Sequence, residues 1–175
     1  MGVMTGLLLF LSGLGYSIAY LGLSMLTLVY LFFIWRIQRP SNRPSALKYG
    51  VRIVATMIPL SFLLCWIWPE MYVTWFHLLF IGCFSLLTYS VATRVTLAHG
   101  SYPVDLEMKS PALSLFIFFL VLCLVSRILY SFTDGLWKKS FLHLAATFWF
   151  FAIAAWCYSF FIRIIKTGQQ EKPSC

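Results

Sequence analysis

Three ionisable side chains stand inside long apolar runs of this sequence: His77, Arg94 and Arg127. A charged group at the centre of a lipid-embedded helix costs roughly 2.5–3.5 kcal/mol on insertion scales, so each needs a partner or a task. Neutral imidazole is cheap to bury and is a good ligand for haem iron or copper, which makes His77 a candidate metal ligand. The plainer alternative is an interfacial histidine hydrogen-bonded to a neighbouring helix. His99 follows 22 residues later, about 33 Å along a helix rising 1.5 Å per residue, so the two imidazoles cannot hold one ion. On a straight α-helix they share a face, with Ser85, Thr88 and Thr96 near the same stripe. A polar stripe of that kind faces a bundle or a water-filled route. Counting along antiparallel rods puts Arg127 at the level of His77, with His143 close by. There its guanidinium could pair with Asp134, Glu70 or an acidic cofactor group. Arg94, near the other end of its span, could instead snorkel to the headgroups.

Other chemistries find little support. The five cysteines form no CxxC, so thioredoxin-like redox chemistry and zinc binding are not indicated. Cys65, Cys83, Cys123 and Cys157 lie in apolar runs and read as small buried apolar residues. A copper–thiolate site would need two of them together, Cys65 and Cys83 being the candidate pair. There is no nucleophile–base pair, glycine-rich phosphate loop or carboxylate dyad, so hydrolase and kinase chemistry are unsupported.

The elements that must position these groups follow from composition. Of 175 residues, 61% are hydrophobic and 10% charged, against roughly 45–50% apolar and about 25% charged in soluble domains. That excludes a water-soluble enzyme, a disordered protein and a disulfide-stapled secreted domain. The expectation is an all-α, polytopic transmembrane bundle of about five spans in a single integral membrane domain, in contact with the lipid bilayer. The spans fall at about 4–36, 49–68, 71–98, 112–132 and 140–166. The first carries no basic n-region, so it reads as an uncleaved span, longer than the roughly 20 residues a crossing needs and therefore tilted. Gly13-xxx-Ser17 and Gly15-xxx-Ala19 on it offer a close-approach face for another helix, from a second copy or a second membrane protein. Pro59 marks a kink. Trp68-Pro69-Glu70 and Asp134-Gly135 mark turns, and 99–111 a loop.

The net charge of +8 sits in the gaps between apolar runs, which fits topology signalling and not nucleic-acid binding. Arg36, Arg39, Arg43, Lys48, Arg52, Arg94, Lys109, Arg163, Lys166 and Lys172 fall on one side. Only Lys138 and Lys139 fall on the other. The N-terminus is expected outside and the C-terminus in the cytoplasm. Trp66, Trp68, Tyr72, Trp75 and Trp137 would form an aromatic belt at the outer ends.

The third span, from His77 through Gly82, Thr93-Arg94 and Leu97-Ala98-His99-Gly100, resembles the signature of the NnrS family. That signature is a histidine, a glycine-containing span, Thr-Arg, and a Leu-Gly-His-Thr-Gly-Arg end. A basic Trp35-Arg36 segment before it, Arg127 in the next span and an aromatic-rich last span from Trp149 to Lys166 agree. The sequence departs in carrying Ser85 where the family has a glycine, and in lacking the terminal Gly-Arg after His99. The resemblance covers about 35–166 and corresponds to the last five of about twelve family spans. It implies a haem- and copper-containing bacterial inner-membrane protein linked to nitric oxide stress and denitrification. By position it makes His77, then His99, the metal ligands, with Arg94 and Arg127 as cofactor-side or structural partners. A non-catalytic helical subunit of a larger membrane redox complex and a small transporter are the alternatives.

Overall fold

The computed structural model describes residues 2–38, 46–100, 102–103 and 106–170. Arg39, Arg43, Asp105 and Lys172, and the side chains of Arg163 and Lys166, lie outside what it describes. The chain is 89% helical, with no strand among the described residues.

The apolar stretch 4–36, expected as one tilted rod, is broken. It forms α1 (Gly2–Gly13) and α2 (Ile18–Val29), and α2 runs on as a π-helical turn over Tyr30–Ile34. The break is local chemistry. Gly15 adopts φ +89°, a left-handed conformation that costs a residue with a side chain roughly 1–2 kcal/mol. Around it the Gly15 amide donates to the Ser12 carbonyl at 3.1 Å, and the Tyr16 amide to the Leu11 carbonyl at 3.2 Å. Together these bonds are the Schellman closure of a helix end. α1 then folds back along α2, close enough that a Cβ on Gly22 would lie 3.0 Å from the Leu8 side chain. The small residues expected to form one contact face therefore divide their work. Gly13 and Gly15 have open space around them and serve the turn, whereas Gly22 takes the contact with α1. At 12 residues, α1 is about 18 Å long, short of a hydrocarbon core of roughly 30 Å.

Four further helical stretches are long and apolar enough to cross a membrane: Leu47–Ile67, Pro69–His99, Pro111–Phe132 and Leu136–Ile162. The first belongs to α3 (Ala46–Ile67), with Pro59 inside it. Ser24 on α2 donates a buried 2.9 Å hydrogen bond to the Pro59 carbonyl and ties α2 to α3 at that point. A 3₁₀ turn at Pro69–Met71 leads into the third span, built of α4 (Tyr72–His77), a π-helical segment Leu78–Ser85 and α5 (Leu86–His99). The expected loop beyond His99 holds a short helix, α6 (Leu106–Lys109). Ser110 then adopts an extended conformation and Pro111 opens α7 (Pro111–Phe132), a first position where its missing amide costs nothing. Gly135, at φ +66°, makes the turn into α8 (Leu136–Gln170). α7 and α8 form the most extensive helix pair.

The core gathers Leu23, Phe62, Leu79, Leu97, Phe116, Trp156 and Phe160 from α2, α3, the third span, α7 and α8. Trp156 donates from Nε1 to Thr93 Oγ1 at 2.8 Å, and Thr93 donates on to the Tyr89 carbonyl at 2.7 Å. A polar chain thus crosses from α8 to α5 without an unmet group. Trp75 departs from the expected belt. Its side chain is buried, and its Nε1 has no hydrogen-bond partner among the described residues.

The π segment changes what the third span presents. Its turns close five residues apart rather than four, so residues beyond it are rotated relative to a straight α-helix. The expected single stripe is lost: Ser85 lines a cleft, Thr96 is buried, and Thr88 and His99 are exposed.

Candidate functional site

His77 is the last residue of α4, immediately before the π segment. Its Nδ1 lies 2.6 Å from the Val73 carbonyl one turn earlier. A carbonyl can only accept, so Nδ1 carries the proton and Nε2 presents a lone pair. Arg127 Nη2 on α7 donates to that lone pair at 2.8 Å. The residues sequence counting placed on one level are therefore in direct contact. A hydroxyl–hydroxyl bond between Thr74 and Ser131 fastens α4 to α7 beside them.

Arg127 is half-buried, and its guanidinium lies over the Tyr130 ring at 5.0 Å. Lys138, at the start of α8, places its ammonium 5.2 Å from the same ring centroid. Cation–π contacts of this kind give each charge part of the stabilisation that water would supply.

These groups border an open cleft of about 520 Å³ between the third span, α7 and α8, within the size range of small-molecule sites. Its walls are His77, Phe80, Ile81 and Ser85 on one side, and Cys123 and Arg127 on the second. Leu142, Ala145, Ala146 and Trp149 form the third. The paired alanines keep the α8 wall low. Cys123 stands one turn before Arg127 on the same helix face, a spacing that could have been read from sequence. The cleft is mainly apolar and carries one imidazole, one guanidinium, one thiol and one hydroxyl.

The remaining candidates lie elsewhere. Arg94 does not line the cleft and instead bridges to Glu107 at 3.1 Å. Glu107 is 1% exposed and also accepts from the Leu47 amide at 3.2 Å. This clasp of α5, α6 and the start of α3 was missed in the sequence reading, which treated Glu107 as a loop residue. His99 is exposed at the far end of the third span and is not brought to His77. His143 and Glu70 are exposed and line none of this cleft. Cys65, Cys83 and Cys123 are free and buried, and Cys157 is free and half-buried. Among the described residues no three of His, Cys, Asp and Glu come together as a metal cluster.

A family model described as NnrS protein matches residues 1–166. The match therefore takes in the N-terminal hairpin as well as the third span. No curated protein and no solved structure matches the chain.

Proposed function

The chain belongs to the NnrS family, and from that membership we propose a multi-pass membrane protein of nitric oxide tolerance that holds haem in the cleft of His77 and Arg127. The observation that carries this reading is the state of His77. Its Nδ1–H is pinned to a backbone carbonyl, and Nε2 is turned to the cleft with its lone pair available to an electrophile. A carbonyl on the far nitrogen is the usual outer support of a metal-bound histidine. The donor set fits a haem held by one axial imidazole, with apolar walls from Phe80, Ile81 and Trp149 and a guanidinium for an acidic edge. It fits copper less well, because this chain offers one imidazole and one thiol there and no third ligand among the described residues.

Within this reading His77 orients and ligates, Arg127 neutralises acid groups, and the aromatic walls exclude water. Bound haem would supply an iron with an open axial position for a diatomic gas. The expected location is the inner membrane of a bacterium, with the His77 end of the bundle outside and the Glu107 end in the cytoplasm. The test is an absorption spectrum of protein purified from haem-replete cells. A Soret band is expected in wild type, lost in His77→Ala and kept in His99→Ala. A colourless wild-type preparation with native-like stability would reject the reading.

A second reading rests on α8. Only 22% of its apolar window is buried, the least of the four long helices. That favours a helical subunit whose α8 packs against a second membrane protein. Purification in mild detergent with an intact partner, and no cofactor of its own, would support it. A cofactor-bearing monomer would reject it.

A further inference from the structure

The guanidinium of Arg127 uses the one lone pair that His77 has to offer. It donates to Nε2 at 2.8 Å, while Nδ1 is committed to the Val73 carbonyl at 2.6 Å. No electrophile can take that lone pair while Arg127 holds it. Arg127 itself is electrostatically short. Among the described residues it has no carboxylate at ion-pair distance, only a neutral imidazole and the face of Tyr130. Lys138 adds a second positive charge over the same ring. A cation at the level of a lipid-embedded helix is held to its place by a counter-charge or a hydrogen-bond network, and an imidazole is a weak substitute for a carboxylate.

We infer that Arg127 is an anion-released latch on His77: a carboxylate or other oxyanion entering between Arg127 and Lys138 takes the guanidinium and frees Nε2 for a ligand. Two binding events at adjoining groups then help one another. By linkage, anion and electrophile raise each other's affinity by the same factor. A ligand that carries an acid group and a metal on one frame satisfies both at once, while one with the acid masked meets a closed imidazole. The coupling to a metal rests on the cofactor reading above; the latch does not.

The experiment has an arm for each. In cofactor-free protein, carbethoxylation by diethyl pyrocarbonate is followed at each histidine by mass spectrometry. His77 is expected to react slowly in wild type and about tenfold or more faster in Arg127→Met, the factor carried by a hydrogen bond from a charged donor. Added inorganic phosphate speeds His77 in wild type and leaves the variant unchanged. The exposed His99 and His143 react alike in both proteins and report that the variant is folded. Equal His77 rates in wild type and Arg127→Met, or a wild type indifferent to phosphate, overturn the latch.

In the second arm, haem and its dimethyl ester are titrated spectroscopically into both proteins. Wild type is expected to discriminate against the ester, and Arg127→Met to bind the ester more tightly than wild type does. If Arg127 serves only as a salt-bridge partner, ester affinity is the same in both proteins, and the coupling fails. If neither porphyrin binds wild type, the cofactor reading falls while the carbethoxylation result stands.

Discussion

Glu107 accepts from two elements at once, the Leu47 amide at the start of α3 and the Arg94 guanidinium on α5. A carboxylate at a helix N-terminus also meets the positive end of the helix dipole. Glu107→Ala removes both bonds and is expected to cost about 2 kcal/mol, below the usual figure for a buried pair because Arg94 is partly solvated. Glu107→Gln keeps an acceptor for the amide and should cost about half of that. Thermal unfolding in detergent measures both, and an unchanged midpoint in Glu107→Ala would show that the clasp carries no stability. The residue scale was unevenly legible. The contact between His77 and Arg127 follows from counting along antiparallel rods joined by short turns, since depth in a membrane is set by residue number. The pairing of Arg94 with Glu107 does not follow, because the partners sit 13 residues apart across a segment with no periodicity. Without that partner in view, Arg94 read as a candidate for a cofactor.

At the scale of elements, the N-terminal hairpin gives a sharp contrast. Gly15→Ala places a side chain at φ +89° and is expected to destabilise by about 1 kcal/mol or more. Gly13→Ala is helical with open space around it and should be neutral or slightly stabilising. Spin labels at Thr5 and Thr27, which border one cavity between α1 and α2, should report a short separation. A single rod would hold them about 33 Å apart, and a distance near that value would refute the hairpin. The same glycines were visible in the sequence, but two mechanisms compete for them. Glycine at four-residue spacing lets helices approach, and glycine after a helical run ends it. Only the backbone conformation at Gly15 decides between them. The Trp68-Pro69-Glu70 and Asp134-Gly135 turns had no such competitor, and both stand where composition put them. The kink residue Pro59 lies inside α3 as expected, with its carbonyl taken by Ser24.

For the molecule as a whole, hydrophobic content decided the class and charge distribution suggested an orientation. Class was legible because no soluble core could bury so much apolar surface. Orientation depends on the cell's insertion machinery and not on packing, so it remains to be read by experiment. Reporter fusions after Glu70 and after Asp134 are expected to mark one face of the membrane, and a fusion after Gly100 the opposite face. Agreement of the first two with the third would break the alternation of the long helices. Cohesion across the bundle is also testable. Trp156→Phe keeps the ring but drops the bond to Thr93 and should cost about 1 kcal/mol.

The wide-bore stretch Leu78–Ser85 amounts to a spare residue kept in store directly below the imidazole. Deleting one position there should let the segment relax to ordinary α-helix, turning everything beyond it by about 100° against everything before it. His77 would keep its grip on Val73, yet the floor beneath it and the far clasp at Arg94 could no longer both find their mates. The same deletion placed in the middle of α5 would leave the floor in step and lose only the clasp. A gauge of this kind lets the two ends of one rod be tuned to different neighbours.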